Sequence, residues 1–208
     1  MLYQQAYQDF KNDVIGQEAK FRNAKLSFYI GEFLWAKAQA DVLKAATSKF
    51  ISNDAIALSL LIGENIDPED SSNVALNLYA RADLLDYRNQ PSLALQTLDS
   101  IPTLFGYHPI HQHVIYKKAE IMKRQGNYTM ADSLYGQIEL EFPGGILADE
   151  ALMQRAKLQE NRLGNKERAM ALYQELLDQY PGSIFVPEAR RQFRFLRGDS
   201  VTPGTLLP

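Results

Sequence analysis

The chain contains no cysteine, which excludes disulfide staples, cysteine-ligated metal sites and thiol nucleophiles and leaves packing to supply stability. The absence assigns no compartment, because cytosol and cell envelope both accommodate a cysteine-free chain. A basic excess is also missing. With 22 Lys and Arg against 25 Asp and Glu, the formal charge of -3 offers nothing to neutralise a phosphate backbone, so nucleic acid is not an expected partner. Long apolar runs are absent as well. The longest, Ile51 to Ile62, is interrupted by Ser52, Asn53, Asp54 and Ser59 and falls short of the roughly 18 to 20 residues of a membrane span. Met1 to Gln5 lack the basic and then apolar regions of a secretory signal, so an exported form would have lost its signal. There is no Gly-rich phosphate loop, no Gly-Xaa-Ser-Xaa-Gly elbow, and no run of alternating β-branched residues between turn signals.

What remains is apolar content of 46% over 208 residues, enough for a real core, with apolar residues at helical spacing almost throughout. Breakers at Gly31, Gly63 to Pro68, Asn89 to Pro91, Gly106 to Pro109, Gly126-Asn127, Pro143 to Gly145, Gly164-Asn165 and Pro181-Gly182 cut this pattern into helices. The expectation is an all-α chain of about eleven helices, with a flexible tail over 201–208, where two prolines and a glycine stand without periodicity.

The sequence repeats itself. At an offset of 38, Gly126 falls on Gly164, Ala131 on Ala169, Tyr135 on Tyr173 and Pro143 on Pro181. Gln17 to Leu26 also matches Asp149 to Leu158, sharing Glu, Ala, Ala, Lys and Leu in register. Each type has a reason in a helical hairpin. Ala119 and Ala156 on first helices, with Ala131 and Ala169 on second helices, permit close antiparallel approach. Tyr135 and Tyr173, four residues beyond those second-helix alanines, share their face and fill the groove toward the next helix. Gly126 and Gly164 close first helices, and Pro143 and Pro181 stop second ones.

This arrangement resembles the tetratricopeptide repeat, a helix-turn-helix unit of about 34 residues. Units are expected at about 17–47, where Ala24, Gly31 and Ala36 take the small positions, and at about 75–101, 112–143 and 150–181. The second is degenerate, with Leu98 in place of the aromatic. A helix over 53–65 stands outside the phase, residues 2–13 look like a second helix without its first, and a capping helix is expected over 184–197. Together they form one domain over 1–200. The resemblance implies a right-handed α-α superhelix (solenoid), and the narrower likeness is to the C-terminal part of larger bacterial, envelope-associated tetratricopeptide proteins.

It also implies function: a non-catalytic scaffold holding a protein or peptide in the concave groove lined by first helices, without cofactor or metal. Carried over by position, the groove residues are Tyr79, Asp83, Asp86 and Tyr87 (with Leu76), then His113, Tyr116, Glu120, Lys123 and Arg124, then Gln154, Asn161 and Arg162 (with Ala151 and Leu158). Such a groove runs from an acidic, aromatic section to a basic one. The plain alternative is that these are ordinary solvated helix faces. A carbohydrate-binding module using Tyr79, Tyr87 and Tyr116 is another reading, and the helical domain of a larger enzyme a third. Assembly through apolar array ends is a further expectation.

Four other features ask for a role. His108, His111 and His113 cluster as metal-binding imidazoles can, but Pro109 is expected to start a helix there and no carboxylate or cysteine adjoins them; His108 reads as a loop or capping residue. Arg190, Arg191, Arg194 and Arg197 crowd the last helix, where basic residues favour the macrodipole, though an acidic partner or lipid surface would suit them. Trp35, the single tryptophan, is expected to pack beside Ala36. The carboxylates Glu139, Glu141, Asp67, Glu69 and Asp70 lack a pocket that would make any of them a general acid.

Overall fold

The computed structural model describes residues 2–10, 13–44, 49–66, 73–106 and 108–199. Among the described residues every regular element is helical: α1 Leu2–Asp9, α2 Val14–Tyr29, α3 Phe33–Leu43, α4 Lys49–Asn65, α5 Val74–Tyr87, α6 Pro91–Leu104, α7 His111–Arg124, α8 Tyr128–Glu141, α9 Ala148–Asn161, α10 Lys166–Gln179 and α11 Val186–Arg197. The all-α expectation holds, hairpin by hairpin. The tail expected over 201–208 and the carboxylates Asp67, Glu69 and Asp70 lie outside the described residues. Helix α7 begins at His111, with Pro109 and Ile110 in the preceding turn, so Pro109 does not start the helix.

The hairpin turns share one device. A residue at positive φ follows each first helix: Gly31 at 83°, Gly126 at 79°, Gly164 at 68° and, in the degenerate repeat, Asn89 at 58°. Asparagine is the side chain that best tolerates this region after glycine, because its short polar group can bond locally. At Gly126 the reversed chain recovers two orphaned carbonyls, Gly126 N donating to Lys123 O at 3.1 Å and Asn127 N to Met122 O at 2.9 Å. Asn127 and Asn165 then cap the next helices, their side-chain oxygens accepting from Met130 N and Arg168 N.

The helices gather into two compact units, residues 1–111 and 112–208. In the first, α2 packs on α1, α3 and α5, α3 on α4, and α5 on α6. Ala24, Ala36, Ala82 and Ala94 are fully enclosed where the hairpin helices approach, and Leu98 fills the site that Tyr135 and Tyr173 hold in the second unit. The α2–α3 turn comes so close to α5 that a Cβ on Gly31 would stand 3.0 Å from Asn77 Oδ1. Trp35 departs from expectation. It is 59% exposed, because it lies a helical step of about 100° from the buried Ala36, and so points away from the α2–α3 contact.

In the second unit, Ile115, Ala119, Ala131, Tyr135, Ile138, Ala151 and Leu158 form one core. Leu152, Met153, Ala156, Ala169, Leu172, Tyr173, Leu176 and Ala189 form the next, covered by Val186, Phe193 and Leu196 of α11. Burying an aromatic of this size stabilises by roughly 1.5–3 kcal/mol. Helices α8 and α9 are also clamped electrostatically. Arg155 of α9 reaches Asp132 at 3.3 Å and Glu139 at 2.8 Å. Gly136, one turn from each acid on α8, leaves the space, since a Cβ there would meet the guanidinium carbon at 3.0 Å. Burial still pushes the Glu139 carboxyl up, against the pull of Arg155.

Candidate functional site

The residues expected to line a groove fall in both units, and each set has its own geometry. On α5, Tyr79 and Asp83 are buried, Asp86 is half-buried and Tyr87 is 74% exposed. Asp83 is tied to α2: Lys25 forms an ion pair with it and Tyr29 donates a hydrogen bond to it at 3.1 Å. Lys25 Nζ also lies 4.9 Å from the Tyr29 ring centre, and the rings of Tyr29 and Tyr87 approach to 6.5 Å. Burial, then the Asp83 charge, hold the Tyr29 hydroxyl protonated well above its ordinary range. In this unit the acidic position is therefore bound to a lysine of the neighbouring first helix, and Tyr87 is the exposed member of the set.

In the second unit the corresponding positions of α7 and α9 form a connected polar layer. Tyr116 donates to Glu150 at 2.7 Å. Tyr135, rising from the core of α8, donates to Glu120. Lys123 contacts Glu120 at 2.6 Å and Gln154 at 3.2 Å, and the rings of Tyr116 and Tyr135 stack edge to face at 5.5 Å. Burial drives both hydroxyls up, the adjacent glutamates adding to it, so both tyrosines act as donors. Burial likewise raises the Glu150 carboxyl, partly offset by the Tyr116 hydrogen bond.

Lys123 does not supply a lone positive charge, since Glu120 neutralises it. Arg124, Asn161 and Arg162 are exposed, and the Arg162 guanidinium lies 5.4 Å from the centre of the Tyr128 ring. His113 is buried. Of the expected residues, Tyr87 in the first unit and Arg124, Asn161 and Arg162 in the second are exposed, whereas Tyr79, Asp83 and His113 are buried. Glu150 was missing from the expected set. It occupies the first position of its repeat, and only the Tyr116 contact, spanning 34 residues, gives it a role.

The histidines do not form a metal set; among the described residues no group of three His, Cys, Asp or Glu is arranged to hold an ion. Instead His108 Nδ1 accepts from Ile110 N at 3.1 Å, fixing the turn before α7. Nor is any helix of the described residues long and apolar enough to cross a membrane.

Antiparallel hairpins with enclosed alanines at their crossings, positive-φ closures and polar first-helix faces define an α-helical repeat protein. Residues 150–183, covering nearly all of α9, the whole of α10 and the turn after them, match the tetratricopeptide repeat family model, so this segment of the chain carries a tetratricopeptide repeat. No curated protein matches the chain significantly.

Proposed function

We propose that the chain is a non-catalytic scaffold that holds a peptide or protein against the first-helix faces of its repeats. The observation that carries this reading is the polar layer on α7 and α9. Tyr116, Glu120, Lys123, Glu150 and Gln154 present donors and acceptors from two successive repeats on one half-buried face, which suits the main chain and side chains of a bound segment. Its groups are pre-paired, so a partner exchanges hydrogen bonds with an ordered surface and loses little conformational freedom in doing so. A photo-crosslinking residue placed at Gln154 tests this, against the same residue at Leu140, exposed on α8. Crosslinks to one protein from Gln154 and none from Leu140, in the source cell, support the proposal. Equal capture at both positions, or capture from Leu140 alone, overturns it.

A further inference from the structure

Helix α11 is divided lengthwise. Val186, Ala189, Phe193 and Leu196 pack on the core of the second unit, while Arg190, Arg191, Arg194 and Arg197 are all exposed. At about 100° per residue, Arg190, Arg194 and Arg197 form a stripe at successive turns beside the packed side, the Arg197 guanidinium lying 5.3 Å from the centre of the Phe193 ring, and Arg191 stands further round toward solvent. The one acidic residue of the helix, Glu188, is engaged by Lys157 at 2.9 Å. Arg197 pairs with Asp199, its Nε at 2.9 Å. The side chains of Arg190, Arg191 and Arg194 have no hydrogen-bond or ion-pair partner among the described residues. The macrodipole accounts for Arg194 and Arg197 in the last turn. It does not account for Arg190 and Arg191, which stand mid-helix where the dipole has little effect. Phe195 adds an apolar group, 63% exposed, one turn after Arg191.

We propose that this outer face of α11 docks an acidic protein segment: a helix with carboxylates at i, i+4 and i+7 and an apolar residue that covers Phe195. All cations of the face are arginines, whose planar forks bind carboxylates through two hydrogen bonds. An aromatic among arginines is the composition of interface anchors. An anionic bilayer fits less well. A basic helix lies in a membrane by sinking its apolar side into the acyl boundary, and that side of α11 is already inside the protein core. The site is separate from the first-helix faces and does not depend on the scaffold reading above.

The test is fluorescence anisotropy with the full chain. The probe is a labelled helical peptide bearing Glu at i, i+4 and i+7 beside a Leu, and its control carries Gln in place of Glu. The expected result is binding of the Glu peptide that weakens about tenfold or more between about 50 and about 300 mM salt. It should fall at least about tenfold in the triple variant Arg190→Glu, Arg191→Glu, Arg194→Glu. Phe195→Ser should weaken binding severalfold without changing the salt dependence. The substituted side chains are exposed, so an unchanged thermal melt shows that the variants fold. Equal binding of the Gln peptide, undiminished binding by the triple variant, or no binding of the Glu peptide overturns the proposal. Binding to phosphatidylserine vesicles that the triple variant loses, without peptide binding, also overturns it and assigns the face to lipid.

Discussion

Residues 112–208 hold 13 basic against 12 acidic side chains, and residues 1–111 hold 9 against 13. The surfaces differ as much as the charges. The second unit stacks repeats whose small, aromatic and turn residues recur at fixed positions, and its polar first-helix groups bond to one another. In the first unit α4 follows the hairpin α2–α3 and packs on α3. Ile30, Leu34, Trp35 and Val42 stay exposed on the turn and outer side of that hairpin. The units thus differ in their first-helix polar groups, which bond across successive repeats in the second; both leave apolar side chains exposed, Leu140 and Ile184 in the second as well as those around α3 in the first. Regular repetition lets each hairpin bury what its neighbour presents; an intervening helix of different pattern breaks that reciprocity.

The comparison can be sharpened from its strongest effect downward. Tyr173→Ala empties an enclosed aromatic site in the second unit and should cost about 3–5 kcal/mol. Hydrogen exchange should show the loss in α9 to α11; equal loss in α2 and α3 would mean the units do not unfold as separate bodies. Arg155→Ala leaves Asp132 and Glu139 facing each other without their cation. Allowing for partial solvent access, it should destabilise by about 2–3 kcal/mol, measured by urea titration. Ala169→Leu overpacks the α9–α10 crossing and should cost about 1–3 kcal/mol in the same assay. Trp35→Ser, by contrast, should change stability by less than about 0.5 kcal/mol. A larger change would show that the indole is packed and that the first unit is not open on that side.

The smallest effect is a dependence on pH. Burial raises the Glu150 carboxyl above its unfolded value, so the folded state holds a proton that the unfolded chain has already released. Its contribution is therefore fully present below the ordinary carboxylate range and declines as pH rises through the folded pKa. Glu150→Gln keeps an acceptor for Tyr116 and removes the charge. The variant should gain melting temperature relative to the parent as pH rises above the ordinary carboxylate range. A gap that stays constant or narrows contradicts the burial of this carboxylate.

The hairpins were legible because they rest on residue types with one steric purpose. Alanines at crossings, glycines at closures and tyrosines between helices recur at an interval any comparison of the chain with itself detects, and the structure encloses Ala119, Ala131, Ala156, Ala169, Tyr135 and Tyr173 as expected. Asn89 serving as a closure was less visible, since asparagine has many local uses. The polar layer was not legible, because a sequence gives charges without their pairings. Lys123 reads as part of a basic section until Glu120, three positions earlier on the same helix, is seen to hold it. Nothing in the sequence singles out Arg155, whose room is made by Gly136, 19 positions away in the chain. Trp35 failed for a different reason: proximity in sequence to a buried alanine says nothing about side, and one helical step turned it outward.

That outward indole makes the chain an asymmetric optical object. As the single tryptophan, it reports through emission only on its own side of α3, already in water and so already red-shifted before any unfolding. A tryptophan-detected denaturation curve should register little when residues 112–208 melt, whereas tyrosine absorbance or circular dichroism records the full transition. The same position turns the disadvantage into a sensor: a molecule that settles on Leu34 and Val42 should shift the emission to shorter wavelength, with no label attached.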